Sequence, residues 1–102
     1  MIELTKKTIG LVNNIFLETD KSEVIELLKN ECAENLFLDE KSIDNGIERI
    51  RFAAIKFSDG NLDKLYYAIN LAQEDWRDLL VATDFANDIN AHEVWAKSLL
   101  GI

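Results

Sequence analysis

Five acidic residues lie within fifteen positions of the chain: Glu74, Asp75, Asp78, Asp84 and Asp88. Trp76 and Phe85 lie among them. Paired carboxylates can act as general acid and general base, but only when a pocket drives their pKa values apart. Acidic residues around aromatic anchors also suit recognition of a basic protein surface. Helix caps and a solvated face would explain the same residues without any site, so the sequence leaves three interpretations open.

The only histidine, His92, has neighbours in the sequence that suggest a metal site or an acid–base pair. Asp84 and Asp88 precede it, and Glu93 follows it. A zinc site normally needs several His or Cys ligands at suitable spacing, and these are missing. Residues 84–93 also lack the alternating oxygen ligands and the central glycine of a calcium loop. We expect a surface or half-buried histidine at a helix start, with no metal and no cofactor.

The chain has a single cysteine, Cys32, whose thiol could act as a nucleophile. A reactive thiol needs a nearby base or the positive end of a helix, whereas Cys32 follows Glu31 late in an acidic helix. We therefore expect a packed thiol. One cysteine cannot form an internal disulfide, which is consistent with a reducing compartment. The chain also has no glycine-rich phosphate loop and no serine elbow, so we predict a protein that is not an enzyme.

The element that organises these residues is a helix predicted from Ile43 to Phe57. Its apolar residues recur at spacings of four, three, four and three, which is the pattern of one buried helical face. These residues are Ile43, Ile47, Ile50, Ala54 and Phe57. Phe52 and Ile55 lie on another side, so this helix needs packing partners on two sides. The charged residues are expected in narrow solvent-exposed lanes: Glu48, Arg49, Arg51 and Lys56.

Further helices are predicted around this central one, at about residues 4–17, 21–34, 62–82 and 91–100. Gly10 inside the first helix is expected to make that helix fray or begin late. The helix at residues 62–82 is expected to stop and restart at Asp75, because acidic residues at a helix start interact favourably with the helix dipole. The apolar run at residues 36–38 is predicted to press into the core from a loop, and Asp39 or Ser42 to cap the central helix.

Several turn signals predict where these helices begin and end. Gly60 suits a left-handed cap at the end of the central helix, and Asn61 suits the N-cap of the next one. Two pairs have the spacing of a capping box, in which an N-cap side chain and a glutamate three residues later each bond a backbone N–H: Asp20 with Glu23, and Asn90 with Glu93.

Length and composition support one all-α domain over residues 1–102, a compact bundle of five to six short helices around the central helix. The formal net charge of −8 would repel a phosphate backbone, so a basic protein partner is expected and nucleic acid is not. No apolar run approaches the roughly 20 residues that span a bilayer, and the N-terminus has no signal-peptide layout. We expect no membrane partner and cytoplasmic residence.

A longer segment carries a family resemblance, and it reads RIRFAAIKFSDGNLDKLYYAINLAQEDWRDLLVATDFANDINAHEVW. The Arg-x-Arg-Phe-Ala-Ala helix, the Gly-Asn-Leu turn and the Asp-Trp-Arg-Asp-Leu-Leu-Val-Ala stretch carry it, from Arg49 to Trp95. It resembles small helical bacterial proteins of the immunity type that accompany secreted toxins. The resemblance implies no catalytic residue. Thr83 and Asp84 depart from it, because small residues are expected there.

Two functions of different classes remain. The first is an immunity protein that binds and neutralises a bacterial toxin, such as a nuclease with a basic site, through the five acidic residues. The second is a structural or regulatory module that self-associates through an apolar helix face, with Phe52 and Tyr67 as the first candidates. The sequence does not give the oligomeric state.

Overall fold

Five α-helices make up the part of the chain that the computed structural model describes, which is residues 3–32 and 43–101. No strand occurs within these ranges, so the predicted all-α class is confirmed. None of the helices seen there combines the length and the apolar character needed to cross a lipid bilayer. The helices are α1 (Lys6–Ile15), α2 (Lys21–Asn30), α3 (Ile43–Ser58), α4 (Leu62–Ala82) and α5 (Ala91–Leu100).

The central helix of the bundle is α3, which packs against α1, α4 and α5. Ile47 and Ile50, on its first apolar side, are buried. Phe52 and Ile55, on another side, are 0% exposed. The prediction of a helix buried on two sides is therefore confirmed. Its physical basis is that one apolar stripe can be covered by one neighbour, whereas two stripes need neighbours in two directions.

One charged residue of α3 lies in the core. Arg51 is 2% exposed, so its predicted place in a solvent-exposed lane is wrong. Its Nε donates to the carbonyl oxygen of Cys32 at 3.0 Å, and its Nη1 donates to the carbonyl oxygen of Glu3 at 3.1 Å. Burial lowers the pKa of Arg51. A guanidinium is stable inside the protein because backbone carbonyls that would otherwise lack donors accept its hydrogen bonds.

The turn between α3 and α4 has the predicted chemistry. Gly60 adopts a left-handed conformation with φ of +81°, and the Asn61 side chain accepts a hydrogen bond from the Lys64 backbone N–H at 3.0 Å. A Cβ atom at position 60 would lie 2.8 Å from the carbonyl oxygen of Ile15. Glycine is therefore required here for two reasons, its backbone conformation and the close approach of α1.

Both predicted capping boxes are absent. Asp20 and Asn90 have helical rather than extended backbone angles, and neither side chain bonds the helix that follows. An N-cap normally has extended backbone angles, which aim its side chain at the free N–H groups. Glu23 instead accepts a hydrogen bond from the Tyr66 hydroxyl of α4, and Asp88 accepts one from the Asn90 backbone N–H at 2.8 Å.

The first two helices are shorter than their predicted spans. The first begins at Lys6, where the Thr5 side chain accepts a hydrogen bond from the Thr8 backbone N–H at 3.2 Å. The second ends at Asn30 rather than at residue 34. The predicted core-facing loop at residues 36–38 and the predicted caps Asp39 and Ser42 lie outside the described residues.

Candidate functional site

The acidic segment, defined as Glu74, Asp75, Asp78, Asp84 and Asp88, begins at a kink in α4. Asp75 has an extended backbone, with φ of −157° and ψ of 99°, inside an otherwise helical run. Its Oδ1 accepts hydrogen bonds from the backbone N–H of Arg77 at 3.1 Å and from the Arg77 Nε at 3.2 Å. The predicted stop and restart at Asp75 is confirmed, because this carboxylate caps the second half of α4.

The kink opens a small surface cavity of about 250 Å³. Its walls come from the continuous run of residues 72–77, and the Arg77 guanidinium lies 5.8 Å from the centre of the Trp76 ring. Pockets that enclose small-molecule ligands usually measure about 300–1,000 Å³ and draw walls from several elements. The cavity at the kink therefore has neither the size nor the construction of a substrate pocket.

The other members of the acidic segment reach solvent. Glu74, Asp78, Asp84 and Asp88 are exposed and Asp75 is half-buried. Within residues 3–32 and 43–101, Asp75 is the only one of the five that forms an ion pair, and its partner is Arg77. Four exposed carboxylates of the segment therefore have no ion-pair partner among the residues that the structure describes.

The apolar residues near the acidic segment differ from the aromatic anchors that the sequence suggested. Phe85 is 1% exposed and belongs to the core, and Trp76 is half-buried against it. Val81 and Ile89 are instead exposed, at 65% and 66%. Val81 follows Asp78 by three residues in the helix, so the two side chains lie on the same side of α4.

Two basic residues of α3 hold the loop after α4. Lys56 donates from Nζ to the Thr83 carbonyl oxygen at 2.7 Å, and its ammonium lies 4.9 Å from the centre of the Phe85 ring. Arg49 donates to the carbonyl oxygens of Phe85 and Ala86. The loop that carries Asp84 is thus fixed to the central helix by charge-assisted hydrogen bonds, which are the stronger kind.

His92 lies in the core, which corrects the prediction of a surface or half-buried residue. It is 6% exposed, and its ring meets the Phe52 ring edge to face at a centroid distance of 5.4 Å. The Phe85 ring lies 6.3 Å away. Burial lowers the pKa of His92 below its ordinary value, while the carboxylates of Glu93 and Glu48 act in the opposite direction. Burial therefore favours the neutral form of the imidazole.

His92 forms a group with two carboxylates, and we call it the histidine cluster: Glu48, His92 and Glu93. The sequence suggested Glu93 as a neighbour of His92 but gave no sign of Glu48. One ligating atom from each lies within 4.8 Å of the other two. Asp84 and Asp88, the neighbours in the sequence, are not part of it. Glu48 precedes Phe52 by four residues on α3, so both share the side of the helix that meets α5.

Cys32 is fully buried, which confirms the predicted packed thiol. Burial raises the pKa of the thiol to about 12, against which the nearby Arg51 guanidinium acts only in part. Since the thiolate is the nucleophile, a neutral buried thiol is unreactive at physiological pH. This residue therefore contributes packing to the core.

Two features have the chemistry of binding sites, namely the acidic segment on the surface and the histidine cluster between α3 and α5. Comparison of the chain with protein-family models, curated proteins and solved structures gave no match. What the protein binds is therefore inferred from the charges and contacts of its own residues.

Proposed function

We propose that this protein is a non-enzymatic binding protein that attaches to the basic surface of a protein partner through the acidic segment. The observation that supports this most strongly is the surplus of charge between positions 74 and 88. These positions hold five carboxylates and one basic residue, Arg77. In the described structure a single ion pair forms within the segment, between Arg77 and Asp75. A cationic partner supplies the charges that the segment lacks.

Electrostatics favour such a partner in two ways. The net charge of −8 attracts a basic protein over a distance of about a Debye length, roughly 8–10 Å, and so raises the rate of encounter. At contact, exposed carboxylates such as Asp78 and Asp84 pair with partner cations and set the orientation of docking. The association rate should therefore fall steeply as salt is added.

Apolar contacts near the carboxylates supply the second requirement of a stable interface. Val81 and Ile89 expose about two-thirds of their surface. A few buried apolar anchors surrounded by polar contacts carry most of the free energy of a typical interface. Since Lys56 and Arg49 already hold the adjoining loop, little conformational entropy has to be lost on binding.

More specifically, we propose an immunity protein that neutralises a bacterial toxin. The resemblance to immunity-type partners covers Arg49 to Trp95 and so includes the whole acidic segment. Toxins that cleave nucleic acids need basic sites to hold phosphates, and an acidic protein can cover such a site. On this proposal the protein resides in the cytoplasm, where it protects the cell that makes the toxin.

Self-association through an apolar helix face is the alternative, and the contacts of its two candidate residues favour it less. Phe52 is 0% exposed, so it cannot contribute to an interface. Tyr67 is 62% exposed, but its ring stacks on Phe57 of the same chain at a centroid distance of 5.7 Å. Sedimentation of the full chain separates the two functions, because a stable homodimer that ignores the toxin supports self-association.

The direct test measures association of the full chain with the toxin encoded by the neighbouring gene. One variant neutralises three exposed members of the segment, as Glu74→Gln, Asp78→Asn and Asp84→Asn. The control removes the same charge elsewhere, as Glu18→Gln, Glu26→Gln and Asp63→Asn, all exposed. We expect the first variant alone to lose about tenfold or more in association rate at low salt. Equal rates for the two variants would reject the acidic segment as the docking site.

A further inference from the structure

The histidine cluster joins two helices through three side chains that are all metal ligands in other proteins. Glu48 comes from α3, and His92 and Glu93 come from the first turn of α5. One imidazole nitrogen and two carboxylate oxygens lie within 4.8 Å of one another. A cluster of acidic residues alone is common on protein surfaces, but this one is arranged around a histidine that is 6% exposed.

A second observation points to a missing partner at this place. The Nδ1 atom of His92 is buried, and no hydrogen bond of ordinary geometry reaches it within the described parts of the chain, although the backbone of Ile89 lies close enough to raise the pKa of the ring. Buried polar atoms in proteins are nearly always paired, because an unpaired one loses its hydration without compensation. One ring nitrogen thus lies within 4.8 Å of two carboxylate oxygens, and the buried Nδ1 lacks a hydrogen bond of ordinary geometry in the described structure. A bound cation would both use a ring nitrogen and draw the carboxylates together.

We propose that Glu48, His92 and Glu93 bind a divalent transition-metal ion of the zinc class. The donor set decides the class, since a neutral imidazole with carboxylates suits zinc and its neighbours, whereas calcium and magnesium take oxygen ligands. The two carboxylates balance the charge of a divalent ion. Three protein ligands leave a fourth position open for water or for a group supplied by a partner, as in tetrahedral zinc sites.

The distances permit such a site after a small closure. Zinc binds nitrogen and oxygen ligands at about 2.0–2.2 Å, which sets ligand atoms on one ion roughly 3.3 Å apart. The atoms here lie within 4.8 Å, and rotation about the side-chain bonds of Glu48 and Glu93 can bring their oxygens closer without moving the backbone. Binding therefore requires the ligand atoms to move closer together than they lie in this structure.

Residues next to the histidine cluster orient its side chains and shield them from water. The Thr5 hydroxyl donates to a carboxylate oxygen of Glu48 at 2.7 Å, which orients that ligand. The rings of Phe52 and Phe85 lie on the histidine and keep water from it. Arg49 is the nearby positive charge, and its effect on the imidazole is smaller than that of either Glu93 or Glu48. Two carboxylates and one guanidinium therefore lie close to the proposed ion.

The test uses calorimetric titration of the full chain with Zn²⁺, together with the visible absorption of bound Co²⁺, which reports nitrogen and oxygen ligands. We expect one ion per chain and a rise in the unfolding temperature. Glu48→Gln and Glu93→Gln keep the side-chain shape and should each weaken binding more than about tenfold, since even an outer-shell change costs 10- to 100-fold. The control carries Glu26→Gln with Asp63→Asn, which are exposed and lie outside both proposed sites, and it should bind the metal like the wild type.

Two results would overturn the proposal. One is the absence of saturable binding by the folded chain. The other is binding of several ions that Glu48→Gln and Glu93→Gln leave unchanged, which would indicate loose attraction to a protein with net charge −8. Because Glu48→Gln and Glu93→Gln leave the acidic segment unchanged, failure of the docking proposal and failure of the metal site are measured separately.

Discussion

Arg51 and Cys32 are joined inside the protein, where the Nε of the arginine donates a hydrogen bond to the backbone carbonyl of the cysteine at 3.0 Å. The same guanidinium donates to the Glu3 carbonyl at 3.1 Å. One side chain of the central helix therefore binds the chain that precedes α1 and the chain that follows α2. The charge of Arg51 serves the fold rather than the surface.

We predict that Arg51→Met lowers the free energy of unfolding by about 2–4 kcal/mol, because one buried and one partly buried carbonyl lose a charged donor. For a chain of this length that corresponds to a fall in melting temperature of roughly 10–25 °C. Urea unfolding followed by circular dichroism measures it. Arg77→Met is the control, since the Arg77 side chain is 74% exposed and should change stability by less than about 0.5 kcal/mol. Equal effects of the two changes would contradict the buried role of Arg51.

Gly60→Ala separates the two reasons for glycine at the turn between α3 and α4. Gly60 and Gly101 both have left-handed backbones, with φ of +81° and +73°. A Cβ at position 60 would meet the Ile15 carbonyl oxygen at 2.8 Å, whereas at position 101 it would meet nothing within 4 Å. We expect Gly101→Ala to cost about 1 kcal/mol and Gly60→Ala at least about twice that. Equal losses of stability for the two variants in thermal unfolding would show that α1 moves away from the added Cβ at no cost.

The buried thiol of Cys32 predicts a pH dependence at the alkaline end. Burial raises its pKa from 9.0 to about 12, so the folded state holds this proton more tightly than the unfolded state. The contribution to stability is complete below pH 9 and is lost as pH rises from 9 towards 12. The unfolding free energy of the wild type should fall more steeply in this window than that of Cys32→Ala. Parallel curves would contradict the burial argument.

The same property predicts slow chemistry at this residue. Iodoacetamide at pH 8 should leave Cys32 of the native protein largely unmodified and should react rapidly once urea unfolds the chain, because only the exposed thiolate attacks. Mass spectrometry counts the modified fraction. Rapid modification of the folded chain would mean that the region around Cys32 opens readily.

The helical architecture could be predicted because it depends on periodicity. The stripe through Ile47 and Ile50, with Phe52 and Ile55 on another side, determined how α3 must be enclosed, and the structure agrees. The kink at Asp75 could also be predicted, because acidic side chains at the start of a helix interact favourably with the helix dipole. Both are local properties, which a sequence records directly.

Features that depend on tertiary contact could not be predicted in this way. The capping boxes failed because spacing identifies a candidate cap, whereas the backbone angles at Asp20 and Asn90 decide whether it forms. Arg51 was expected in solvent because no sequence signal marks the carbonyls that receive it. The histidine cluster was missed because Glu48 and His92 are far apart in the chain, and only the packing of α3 on α5 brings them together.

Lys56→Met tests whether the loop that carries Asp84 is held in place for binding. The change removes a hydrogen bond of 2.7 Å to the Thr83 carbonyl and the contact of the ammonium with the Phe85 ring. We expect a loss of about 1–3 kcal/mol in stability and faster amide hydrogen exchange at residues 83–86. Lys64→Met, at an exposed position of α4, is the control. If the loop is preorganised, Lys56→Met also slows association with a basic partner although it makes the chain more negative. An association rate that rises with the added negative charge would instead show that charge alone, without a fixed loop, governs docking.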